Sequence, residues 1–472
     1  MFFHSITSLI IFLPIIFISY PLIKNLNQKF SNKYLLFFSV IFYSFDVPWF
    51  IIPLFISAIS DYLISKELIN NRNISEIERS FLLISSLIIN IGLLIIFKYQ
   101  DLFPNILNLG IDKFIKNNAE QIILPAGISF YTFQTLSFSI DSFQKKITKI
   151  PTFLDYLLYV SYFPQLVAGP ILRPSEFFND KLQPKLNNAS HDFQNGFTRI
   201  CFGLFLKLCL ADELATLNDI AYQSSFLDLG FFDAWTMAFG FGLQIYFDFS
   251  AYSHMAIGVS KVLGLNIKEN FIFPYSSVSS TDFWKRWHIS LSSWVSDYLY
   301  NFLNKRITII FFGAIPLLIT WSIMGLWHGS SLRFVMWGFL NGCFVIIHRI
   351  FKNINLKIIK LILNNKFISW IITLLSLMST WIYFRSSSWE QANYLYQNLF
   401  RIDKLGLGLR ENYYLFVFIF SICTFAFGLI HKTKYYNLII NNIFIRISGT
   451  VVALSFALIF INSQNSFIYF QF

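Results

Sequence analysis

Two histidines and one carboxylate stand in stretches of sequence that offer little to solvate a charge. The first histidine closes Trp321-Ser-Ile-Met-Gly-Leu-Trp327-His328-Gly329, a run without Asp, Glu, Lys or Arg. Residues three, four and seven apart share one face of a helix, so His328 lies with Trp321, Met324 and Gly325. Gly325 and Gly329 leave room for another backbone or a substrate. The second histidine belongs to Asp282-Phe-Trp284-Lys-Arg-Trp287-His288-Ile-Ser-Leu291-Ser-Ser-Trp294-Val-Ser-Asp-Tyr298. There Trp284, Trp287, Leu291, Trp294 and Tyr298 recur at helical spacing between charges, which predicts an amphipathic helix at a membrane interface with His288 turned toward protein. The carboxylate is Asp248, which with Gln244 and Tyr252 forms a polar stripe at four-residue spacing in an apolar helix.

Imidazole takes up and returns a proton near neutral pH, so two histidines with a carboxylate suit acid–base chemistry on a hydroxyl acceptor. No GxSxG nucleophile motif is present, which favours direct transfer over a covalent intermediate on this chain. Each feature also has a plainer reading. His328 could hydrogen-bond a neighbouring helix, His288 could ride on an interfacial anchor, and Asp248 could lock two helices together, since a buried carboxylate needs a partner or a proton. His254, two positions from Tyr252, falls on a different face. Cys201, Cys209, Cys343 and Cys423 show no CxxC spacing and read as packing residues.

The elements that must position these groups are membrane helices. Of 472 residues, 55% are hydrophobic and 13% charged, against roughly 25% charged in soluble domains. Apolar runs near 3–22, 34–60, 80–98, 152–172, 196–211, 232–262, 308–327, 332–350, 367–385, 412–430 and 446–462 approach the ~20 residues that cross a bilayer. Residues 121–143 are richer in Ser, Thr, Gln and Tyr, which predicts a broken or re-entrant helix inside protein. The start lacks the basic residues and small-residue site of a cleaved signal peptide, so the first helix is expected to be retained. Lys24, Lys29 and Lys33 follow it, placing the N-terminus outside and their loop in the cytoplasm. The net charge of +11 is spread over short loops such as Lys145, Lys146 and Lys149 and residues 349–366, where anionic lipid headgroups are the expected partners. No motif points to nucleic acid.

Several segments resemble the membrane-bound O-acyltransferase family, particularly its bacterial alginate O-acetylation branch. They are Leu124-Pro-Ala-Gly-Ile-Ser-Phe-Tyr-Thr-Phe-Gln134, Tyr162-Phe-Pro-Gln-Leu-Val-Ala-Gly-Pro170 with Arg173 and Glu176, Gln244-Ile-Tyr-Phe-Asp-Phe-Ser250, Asp282 to Ser292, Gly325-Leu-Trp-His-Gly329 and Phe467-Ile-Tyr-Phe-Gln-Phe472. The resemblance implies an all-α integral membrane protein, a bundle of about eleven or more transmembrane helices with re-entrant and interfacial helices around a central tunnel. Residues 1–472 would form one domain in the bacterial inner membrane. His328 would be catalytic at the tunnel's narrow middle and His288 would stand near its cytoplasmic approach, with Asp248, Gln244, Tyr252, Trp284, Trp287 and Trp327 supporting or lining it. The resemblance further implies no tightly bound cofactor, an acetyl-CoA or acyl-carrier thioester as donor, an extracytoplasmic O-acetyltransferase as partner, and alginate, peptidoglycan or another exopolysaccharide as the glycan. D-alanyl transfer to teichoic acid, a proton-coupled transporter and a non-catalytic scaffold are the alternatives. His254 stands where many relatives carry an acid, and Lys285 replaces a frequent Arg.

Overall fold

The computed structural model describes residues 1, 3–71, 74–99, 124–178, 189–307, 313–354, 356–431, 433 and 442–461. Every regular element among them is a helix. Six helices are long and apolar enough to cross a membrane by length and composition: Ser8–Leu26, Pro48–Asn70, Glu76–Lys98, Leu332–Asn353, Lys366–Arg385 and Glu411–Ile430. The apolar runs outnumber these helices because several fold into shorter pieces. Run 152–172 divides into Phe153–Ser161 and Phe163–Leu166, the second with a proline in its first turn, where the missing N–H costs no hydrogen bond. Runs 308–327 and 446–462 yield Ala314–His328 and Ile443–Ile459, of 15 and 17 residues among the described ones, shorter than the ~20 residues typical of a span. Residues 121–123, 308–312, 462 and the 467–472 motif lie outside the described residues. Lys24 and Lys33 sit in consecutive helices, Leu13–Leu26 and Gln28–Ser44, so the expected loop is reduced to the exposed Asn27.

The chain forms two compact units, one of residues 1–200 and 252–268, the other of 201–251 and 269–472. In the first, polarity is arranged opposite to that of a water-soluble helix bundle. Helix Glu76–Lys98 exposes Phe81 and Ile88 while it buries Arg79, Ser86 and Asn90. Asp61 accepts hydrogen bonds from Ser86 Oγ (2.6 Å) and Asn90 Nδ2 (2.8 Å), and Ser57 Oγ donates to Asn90 Oδ1 at 2.6 Å. Polar groups satisfy one another inside and apolar side chains face outward, the order a lipid solvent selects. Helix Ile128–Phe143 has 13 of its 16 residues buried. Its polar composition is therefore enclosed by protein, as the sequence predicted.

The second unit is built around an antiparallel hairpin of Ala314–His328 and Leu332–Asn353. A methyl group placed on Gly325 would come within 2.1 Å of the Phe334 carbonyl oxygen, and one on Gly338 within 2.1 Å of the Trp321 carbonyl oxygen. The two backbones meet through small residues, as membrane helices do when apolar burial alone cannot hold them together. Gly338→Val should force the helices apart, costing about 1–3 kcal/mol or more. The check is the thermal unfolding midpoint in detergent; an unchanged midpoint would contradict this contact.

Candidate active site

His328 is the last residue of its helix and Gly329 follows in extended backbone, so the histidine stands at the tip of the hairpin. It is buried, and three aromatic rings surround it: Trp327 at 4.7 Å, Trp337 edge-on at 5.0 Å and Phe384 at 5.0 Å between centroids. Trp337 comes from the facing arm of the hairpin, and Phe384 from the end of Lys366–Arg385.

His288 reaches the same place from an irregular turn. The expected amphipathic helix over 284–298 is instead broken into Ser280–Trp284, Ile289–Trp294 and a π-helical turn, Val295–Tyr300. Between the first two, His288 adopts a left-handed conformation (φ 42°), a backbone cost of about 1–3 kcal/mol for a residue with a side chain. The surroundings hold it there. Ile272 N–H donates to Arg286 O at 3.0 Å and Ile289 N–H to Asn270 O at 2.9 Å. The buried Asn270 side chain also accepts from Ser290 N (3.2 Å) and Oγ (2.9 Å). Trp284, Trp287, Leu291 and Trp294 are all buried. Helical spacing thus picked out four buried residues, which pack on other elements: Trp284 on Trp321 and Trp337, and Trp287 on Phe271 and Trp381. Phe249 meets the His288 ring edge-on at 4.5 Å. Burial pushes the His288 pKa down to about 3, because an imidazolium there would lose its water.

Both histidines line one small cavity, about 10 Å³, walled by Trp284, Trp287, Trp337, Trp381 and Phe384 with Met324 and Leu291. Trp337 and Trp381 were not picked out by sequence reasoning, although an aromatic cluster at the ends of two spans was a usable signal. The indole N–H groups of Trp284 and Trp337 are buried and have no acceptor among the described residues. An indole N–H can only donate, and leaving one unmet costs about 1–3 kcal/mol.

The polar stripe lies outside this lining. Gln244 accepts from Asn218 Nδ2 at 2.7 Å. Asp248 is held by Lys207, whose Nζ lies 2.7 Å from Asp248 Oδ1 and 2.8 Å from Asp212 Oδ1. Tyr252 packs on Phe3 at 5.3 Å in the first unit. Trp327 touches His328 without lining the cavity. Lys207 and Asp212 were missed, although a lysine within the apolar run 196–211 is the signal that should have found them. Among the described residues, no group of three His, Cys, Asp or Glu side chains could hold a metal ion.

Comparison with known proteins places this arrangement. The family described as "MBOAT, membrane-bound O-acyltransferase family" matches residues 3–384, which include both histidines and the whole cavity wall. This chain belongs to the membrane-bound O-acyltransferase family. It is therefore a multi-pass membrane protein and an O-acyltransferase. It is 33% identical over 408 residues to the probable alginate O-acetylase AlgI of Pseudomonas aeruginosa, covering 85% of this chain and 75% of that one. It is 32% identical over 419 residues to the peptidoglycan O-acetyltransferase of Helicobacter pylori, covering 81% and 76%. A more distant relative is the teichoic acid D-alanyltransferase of Bacillus subtilis, 27% identical over 248 residues, 49% of this chain and 60% of that one.

Proposed function

We propose that this acyltransferase, acting as one domain in the bacterial inner membrane, takes an acetyl group from a cytoplasmic thioester and delivers it outward for O-acetylation of an envelope glycan. Acetyl-CoA or an acetylated carrier protein supplies the thioester, and a second, extracytoplasmic O-acetyltransferase completes the transfer. The observation that carries this reading is the convergence of His328 and His288 on one aromatic cavity.

His328 accepts the proton of the acceptor hydroxyl as the oxygen bonds to the thioester carbonyl carbon. The tetrahedral intermediate then collapses, the C–S bond breaks, and the proton on His328 passes to the departing thiolate. His288, neutral at physiological pH, helps to orient the reactants. The buried N–H groups of Trp284 and Trp337 donate to the carbonyl oxygen, most strongly once it carries negative charge.

The deciding experiment is acetyl transfer by purified protein in proteoliposomes with radiolabelled acetyl thioester inside; no covalent product with any acyl thioester would sink the reading. Trp337→Phe keeps the ring and removes the donor, so kcat should fall about 10²-fold with the KM for the thioester little changed. A normal kcat would remove Trp337 from the mechanism.

A further inference from the structure

The cavity that His328 and His288 share is small for the group it handles. At about 10 Å³ it has room for roughly a single water molecule, so one methyl group fills it. In the proposed reaction the N–H groups of Trp284 and Trp337 hold the carbonyl oxygen and His328 stands beside the reacting carbon, which leaves the acyl methyl against the remaining walls. Two further indoles stand there, Trp287 and Trp381. Trp287 belongs to the turn that presents His288, whereas Trp381 comes from helix Lys366–Arg385 and serves as wall alone.

Trp381 is wedged in place. Its ring packs on Trp287 at 5.3 Å, Phe384 at 5.5 Å and Trp337 at 5.7 Å between centroids. Behind it stands Gly242 of helix Phe231–Val262, which does not itself line the cavity. A methyl group on Gly242 would come within 2.6 Å of Met378 Sδ, 3.0 Å of Trp381 Cδ1 and 3.3 Å of Trp381 Nε1. Met378 is a flexible thioether and can turn aside. The indole is rigid, and a push at that edge moves the whole ring toward the cavity. Glycine at 242 therefore sets how far Trp381 stands back from the acyl group.

We propose that Trp381, seated against Gly242, is the residue that limits the transferred acyl group to acetyl. A longer chain must displace a ring held between three others, and one methylene too many in such a pocket lowers turnover by about 10- to 200-fold. This inference rests on the acyltransferase reading and deepens it by naming the residues that exclude longer chains.

The test compares acetyl, propionyl and butyryl thioesters, on CoA and on a phosphopantetheinylated acyl carrier protein, in the proteoliposome assay. Ratios of kcat/KM within one preparation cancel the folded fraction. Wild type should prefer acetyl to propionyl by about tenfold or more, and acetyl to butyryl by a wider margin. Trp381→Phe keeps an aromatic wall but shortens it, and should narrow the acetyl-to-butyryl ratio by about tenfold or more. Gly242→Ala presses the indole inward and should widen that ratio while lowering acetyl transfer itself. In Gly242→Ala/Trp381→Phe the new methyl occupies room that the smaller ring vacates, so acetyl transfer should recover relative to Gly242→Ala. Comparable use of the three acyl groups by wild type, or ratios unmoved in both single variants, would overturn the proposal and leave acyl transfer standing. No product from any of the thioesters would instead remove the acyltransferase reading beneath it.

Discussion

Replacing His328 with glutamine is expected to lower acyl transfer by roughly two to four orders of magnitude, the usual worth of a positioned general base. Glutamine keeps polarity and approximate size but cannot accept a proton at neutral pH. His328 is set at a helix end with Trp327, Trp337 and Phe384 around it, so the substitution alters the chemistry of the cavity more than its packing. The informative comparison is between correctly inserted proteins at equal abundance, with thioester binding measured beside transfer. A variant that binds donor and transfers nothing fits a base acting after binding. Near-normal transfer would transfer the role to His288, the other imidazole on the same cavity.

The sequence was most informative where a residue type conflicted with its surroundings. His328 and His288 stand out because imidazole is rare in apolar runs, and the structure puts both on one cavity. Helical spacing also grouped Trp284, Trp287, Leu291 and Trp294, expected on an interfacial helix, and all four are buried. It did not reveal the left-handed turn at His288, because that turn is held by Asn270 and Ile272, some 16 to 18 positions upstream. Periodicity reports only local neighbours. Hydropathy likewise registers an apolar run but not the break at Tyr162 or the short arm ending at His328. Asp248 was legible as a buried carboxylate in need of a partner, yet its partner lies 41 residues away.

That partner is the basis of the second large effect. Lys207 is buried, and its ammonium group is shared by Asp248 at 2.7 Å and Asp212 at 2.8 Å, carboxylates that are almost as deeply enclosed. Lys207→Met preserves much of the side-chain volume but removes the cation that both carboxylates share, which should cost about 3–5 kcal/mol because charge is left in a medium that cannot solvate it. The loss should reach the site, since Ile245, one turn before Asp248 on helix Phe231–Val262, lines the cavity. Thermal unfolding in detergent should show a markedly lower midpoint, and transfer activity should fall with the folded fraction. Lys207→Met/Asp212→Asn/Asp248→Asn removes all three charges and should recover much of that stability, as replacing a whole buried ion network with neutral groups usually does. If the triple variant unfolds no later than the single one, the lysine matters for its packing and not for its charge. Recovery of stability without recovery of transfer would mean that Asp248 also helps to position the cavity wall for catalysis.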